Sequence, residues 1–384
     1  MRILIIGNGF DLAHGLKTTY RDFLTFCRSI DFDDASQNTL RQGLDKNFWL
    51  SHFLLSSINI GDTWIDFEEE IHKAISALSK LSVGAKTSYP RFFQFQAKKK
   101  DSVMFTFPRE RKEMQTSFAE EAGYINSILK RSFTPLEKDG RNWKSEFDTL
   151  KKEDKSYYSF VCSSDRGMST VLFKNTDGVV NYAYDELRRF VMALEYYLAT
   201  INDTSPLKTF TLQDGTQLNS VLSFNYTNTF ERLYPGIAGS TIYIHGKVNS
   251  PQTDSCNMVL GTRSFVESDM IADNFSMFAK YHQRQRYDNM GAYQALLSHT
   301  DLANNNRGNW IGILGHSLDS TDKHLIKRVL TANNRAQITV FYHSDVAKNN
   351  LISKLYAILG EEDAEKRVTF TYQHDPKRGL LLPL

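Results

Sequence analysis

The sequence predicts an α/β protein: a parallel, doubly wound sheet carrying a largely helical insertion. Three observations lead there. Residues 3–6 are an unbroken isoleucine and leucine run, the pattern of a strand buried on both faces. That run stops at Gly7-Asn8-Gly9, just ahead of helix-like sequence. In the last third of the chain strand-like and helix-like segments alternate, which implies βαβ units and parallel pairing.

Taken in order, the first strand is followed by helical segments over 18–28, 39–58 and 64–81, the last with Asp66, Glu68, Glu69 and Glu70 near its start, where the helix dipole favours acidic groups. Between residues 89 and 178 the apolar period is interrupted by Lys98-Lys99-Lys100 and further basic runs, with Phe92, Phe93, Phe95, Phe105 and Phe107 interleaved. This stretch reads as an insertion of unknown role, and it leaves nucleic acid open as a partner. A helix follows over 182–198, then strands at 221–224 and 241–244. Trp310–Leu314, Gln337–Tyr342 and Val368–Tyr372 read as strands separated by helices over 320–330 and 346–358. The expected division is therefore a nucleotide-binding domain of 1–88 and 179–384 with a helical subregion, interrupted by 89–178.

Composition narrows the classes. The formal charge is +2 over 384 residues, so the whole chain carries no electrostatic footprint of nucleic-acid binding. Cys27, Cys162 and Cys256 are dispersed, with neither the CxxC pairs nor the Cys/His spacing of a metal site. No run of about 18 apolar residues offers a membrane span. An odd, scattered cysteine set fits a reducing compartment, and the expectation is a cytoplasmic protein with no metal and no membrane partner.

Four short motifs carry the chemistry. Gly7-Asn8-Gly9-Phe10-Asp11 sits between strand and helix, where glycines admit a ligand to the backbone and amides attract an anion such as phosphate. The dinucleotide fingerprint is not met, since Gly15 comes late; Asp11 repels a pyrophosphate and suits ribose hydroxyls or a helix cap instead. Asn225 and His245-Gly246 each follow a strand, the edge at which ligands of open α/β sheets bind. An amide can hold water or a sugar hydroxyl, and an imidazole can act as base. Gly315-His316-Ser317-Leu318-Asp319 is the fourth. It is one residue away from a nucleophile elbow and has Asp345 and His374 downstream, so a serine hydrolase using Ser317 is one reading.

The stretch Leu4 to Leu16, continuing through Thr18, Tyr20, Asp22 and Phe23, resembles the opening signature of the bacteriophage abortive-infection AbiH family. Trp64-Ile65-Asp66-Phe67-Glu68 is similar to that family's second landmark, and Asn225-Tyr226-Thr227, Ile244-His245-Gly246 and Gly315-His316-Ser317-Leu318 look like its later motifs. More remotely, the order of glycine turn, Asn-Tyr, His-Gly and Gly-x-Ser resembles the sirtuin-like fold, a Rossmann-like NAD-binding domain. The departures are Gly7-Asn8-Gly9 for Gly-Ala-Gly, and Thr227 where that class has aspartate.

The resemblance implies an antiphage effector that hydrolyses NAD+ to nicotinamide and ADP-ribose, with Asn225 and His245 catalytic. Gly7, Asn8, Gly9, Phe10, Asp11, Gly246, Gly315, His316 and Ser317 would then contact NAD or a related nucleotide. The competing reading is a non-catalytic nucleotide-binding or phage-sensing module that acts with a partner. A phage-derived trigger, a partner protein and a homo-oligomer all stay open.

Overall fold

The computed structural model describes residues 1–30, 44, 47–55, 64–87, 124, 176–204, 217–248, 256–263, 273–303, 308–319, 321–372, 374–375 and 379–380. Nearly all of the expected insertion over 89–178 lies outside these residues, as do 39–43, 45, 46 and 56–58 of the helix expected over 39–58. The described residues fall into two compact units. One comprises Met1–Phe26, Leu194–Arg263 and Gln283–Leu384, and the other Cys27–Ala193 and Ser264–His282.

The first unit holds the sheet. Its strands are β1 (Arg2–Ile6), β2 (Leu218–Ser223), β3 (Ala238–Tyr243), β4 (Trp310–Leu314), β5 (Gln337–Tyr342) and β6 (Val368–Tyr372). They stand in the order β3-β2-β1-β4-β5-β6, and every neighbouring pair is parallel. The chain builds outward from β1 to one side and then returns to build outward on the other. Its direction reverses between β1 and β4.

Side chains of successive residues point to opposite faces, so a strand of isoleucine and leucine feeds two cores at once. Ile3 and Ile5 join Leu222, Ile311, Ile313, Ile338 and Val340 under Leu325, Ile326, Val329 and Leu355. Leu4 and Ile6 join Val221, Leu314 and Phe341 under Phe10, Phe230 and Tyr234. This double burial is why β1 shows no polar alternation.

Capping groups set the helix ends. Thr19 and Asp22 bond reciprocally, the Asp22 carboxylate accepting from the Thr19 amide and the Thr19 hydroxyl from the Asp22 amide, both at 3.1 Å. This is a capping box, and it starts the helix at Tyr20, later than the sequence expectation of 18. Ser344 caps Asp345–Leu359 by accepting from the Ala347 amide at 3.2 Å.

The second unit packs helices around aromatic rings. Phe53 lies 4.0 Å from Phe67, and Phe67 stacks on Phe190 at 5.2 Å. Glu68 and Lys280, both buried, form an ion pair at 2.7 Å. Phe67 and Glu68 of the second sequence landmark are therefore packing and ion-pair residues of this unit. No helix among the described residues is long and apolar enough to cross a membrane.

Candidate functional site

The parallel register places four of the sequence motifs on one edge of the sheet. Ile6 is level with Ser223 and Leu314, and Ser223 with Tyr243. Gly7, Asn225, His245 and Gly315 therefore all follow the carboxyl ends of adjacent strands. Gly7 and Gly315 flank the point where the chain reverses direction, the position at which open α/β sheets bind ligands.

The structure gives the glycines a use other than cradling phosphate. The amides of Gly7, Gly9 and Phe10 donate to the carbonyls of Leu314, Gly315 and Gly7 at 3.2, 2.9 and 2.8 Å. A Cβ on Gly7 would come within 2.8 Å of the Gly315 carbonyl oxygen, and one on Gly9 within 2.9 Å of the Gly315 Cα. Gly315 itself has φ +67 and faces the Phe10 amide. The two turns are thus bonded to each other, backbone on backbone. Gly315→Ala should lower stability by about 2 kcal/mol or more, seen as a fall in denaturation midpoint; an unchanged midpoint would contradict this packing. Gly246 has φ +80, and a Cβ there would collide with the Asn257 carbonyl, so it too answers a packing need.

Side chains supply the chemistry. The Asn225 amide nitrogen donates to the Gly7 carbonyl at 3.0 Å, joining the ends of β2 and β1. The Phe224 ring lies edge-on to His316 at 4.5 Å and to His245 at 5.6 Å. His245 Nε2 is 3.0 Å from Asp322 Oδ2, and the buried Arg284 guanidinium meets Asp322 Oδ1 at 3.5 Å. The sequence reading missed Asp322 and Arg284. They stand 77 and 39 positions from His245 in sequence, so only the fold brings the three together.

Asp11 is the second electrostatic feature. It lies inside the short helix Asn8–Ala13 and not at its cap position, and it is 1% exposed whereas its neighbour Leu12 is 41% exposed. Thr227 donates to Asp11 Oδ2 at 2.5 Å, and Thr229 donates on to Thr227 at 3.0 Å. Asp11 Oδ1 has no hydrogen-bond partner among the described residues. Burial pushes the Asp11 carboxyl up to about 6, against the opposing Thr227 hydrogen bond and the nearby polar groups of Thr229 and Asn225. His14 is structural, its two nitrogens 2.7 Å from the Phe10 carbonyl and the Tyr234 hydroxyl.

Ser317 is exposed and is held through its backbone, its carbonyl accepting from Lys354 Nζ at 2.9 Å; Lys354 also pairs with Asp319. A nucleophile elbow puts the serine itself at a strained turn directly between strand and helix. Here the residues with positive φ are Gly315 and Leu318, and the next helix begins only at Lys323. His374 lies in a separate two-stranded ribbon. Ser317→Ala should leave any turnover within about threefold of wild type; loss of turnover in a folded variant would restore the hydrolase reading.

These features define an α/β protein whose polar side chains gather at the carboxyl ends of a parallel sheet, beside its reversal point. The profile of the family described as bacteriophage abortive infection AbiH matches residues 3–343. The chain belongs to that family, which assigns it to antiphage abortive infection. The matched span contains Asp11, Asn225, His245, Arg284 and Asp322, and it ends before Asp345 and His374. No curated protein matches the chain.

Proposed function

We propose that the chain is an abortive-infection effector that hydrolyses NAD+ to nicotinamide and ADP-ribose at this strand-end site. The observation that carries the reading is the placement of Asn225 and His245 on adjacent strand ends beside the reversal point of the sheet. The order β3-β2-β1-β4-β5-β6 is that of Rossmann-like dinucleotide-binding sheets, and the sirtuin-like motif order agrees with it.

In this reading the Asn225 side-chain carbonyl holds the attacking water or a ribose hydroxyl, its nitrogen being fixed on Gly7. Asp11, closed to solvent, holds the Thr227 hydroxyl just beyond the end of β2. Water oxygen bonds to C1′ of the nicotinamide ribose, and the proton goes to His245. The glycosidic C–N bond breaks, and its electron pair neutralises the pyridinium as nicotinamide leaves. Because the glycine amides are already bonded, phosphate recognition falls to groups other than Gly7, Gly9 and Phe10.

That same occupancy favours a second reading, a nucleotide-binding sensor without turnover. Incubating pure protein with NAD+, with and without lysate of phage-infected cells, separates the two. Release of nicotinamide supports the enzyme. Saturable NAD+ binding with no nicotinamide under either condition supports the sensor.

A further inference from the structure

We propose that Asp322 is a positioning residue for His245: it holds the imidazole with its hydrogen on Nε2, so that Nδ1 is the basic atom. The catalytic consequence rests on the reading of His245 as the base. The tautomer itself does not.

The geometry starts from an absent cap. Asp322 occupies the N-cap position of the helix Lys323–Ala332, yet its side chain makes no capping bond. An aspartate there ordinarily accepts from an amide in the first turn, as Ser344 does for the next helix. The Asp322 carboxylate is instead turned to His245 Nε2 at 3.0 Å and to Arg284 at 3.5 Å. The helix start forms without it, since the Asp322 backbone carbonyl accepts from the Leu325 and Ile326 amides at 3.0 and 3.3 Å.

The His245 backbone is likewise fixed independently. Its carbonyl accepts from the Val259 amide at 2.8 Å, and the preceding Ile244 amide donates to Ser223 at 2.9 Å. What the side-chain pair adds is the orientation and protonation pattern of the ring. A carboxylate can only accept, so the nitrogen facing it carries the hydrogen. Among the described residues the ring faces the Asp322 carboxylate, with Arg284 on that carboxylate's other oxygen and His324 3.4 Å from Arg284. The rings of Phe224 and Tyr226 flank it at 5.6 and 6.3 Å.

Arg284 makes Asp322→Asn informative. Guanidinium only donates, so the carbonyl of the new amide faces Arg284 and its NH2 faces Nε2. That forces the hydrogen onto Nδ1.

The ring-nitrogen spectrum of wild-type protein, read by 15N NMR at neutral pH, tests the inference without any turnover. It should show a protonated Nε2 and a bare Nδ1; the opposite pattern overturns the proposal. In Asp322→Asn the pattern should invert, kcat should fall by about 10²-fold or more, and KM should stay within about threefold. The acid limb of kcat/KM should move to lower pH, because a neighbouring carboxylate favours the protonated imidazole. A folded Asp322→Asn protein with wild-type kcat and an unmoved acid limb overturns the positioning role. Wild-type protein without NAD+ turnover overturns the reading that His245 is a base in this reaction, while the spectrum still decides the tautomer.

Discussion

His245→Ala should fold, retain nucleotide binding and lose NAD+ turnover by about 10²–10⁴-fold, the range for removal of a positioned base. Folding is expected to survive because the backbone on both sides of His245 is bonded without its side chain, and because Asp322 keeps Arg284 as its partner. Binding should survive because the Asn225 link to Gly7 and the Asp11–Thr227 bond do not involve the imidazole. A purely structural histidine predicts another pattern, in which the denaturation midpoint falls and turnover per folded molecule does not. Measuring midpoint, NAD+ affinity and turnover on one preparation separates the two. Asn225→Ala should lose turnover as well, with a larger loss of affinity.

Asp11→Asn should make the protein more stable at neutral pH while impairing its activity. The native carboxyl titrates at about 6 against an ordinary value of 3.8, so as pH falls the folded state takes up the proton first. Stability from this group is therefore fully present below about pH 4 and is lost as pH rises through 6. The difference corresponds to about 3 kcal/mol above pH 7. An amide has no charge to desolvate and can still accept from Thr227. The variant's advantage should be largest at pH 7–8 and should vanish near pH 4, read from urea midpoints of both proteins across that range. A constant difference at all pH values would show that burial of the charge is not its cause. Activity should fall because the Thr227 hydroxyl beside Asn225 exchanges an anionic acceptor for a neutral one, which raises KM by about tenfold.

The sheet was legible because its strands are buried on both faces and so read as short apolar runs bounded by turns. All six strands of the sheet were located from sequence, and their alternation with helices gave the parallel pairing. Short helices were missed where apolar spacing is sparse, as at Thr229–Leu233 and Lys280–Arg286. Motif positions were legible too, because strand ends are marked by the glycines, Asn225 and His245. What those residues do was less so. A glycine in a βα turn looks the same in sequence whether it admits a ligand or another backbone, and here Gly7, Gly9 and Gly315 meet one another.

Asp11 and Leu12 invert the usual rule. The carboxylate is buried and the leucine is exposed, and nothing in a local hydrophobic pattern signals that. Asp322 stands at a helix start, and its bond to His245, 77 positions away, leaves no trace in the local pattern. Arg284 had no local reading at all. Long-range pairing is what sequence spacing cannot show, and it is where the candidate site is concentrated.

The measurement that bears most directly on NAD+ cleavage as the basis of abortive infection is the NAD+ content of phage-infected cells expressing the wild-type protein or His245→Ala. Wild-type cells should lose NAD+ after infection, release nicotinamide and restrict the phage, while cells with the variant should keep their NAD+ and be lysed. Phage restriction by the wild-type protein with the NAD+ pool intact would contradict the account.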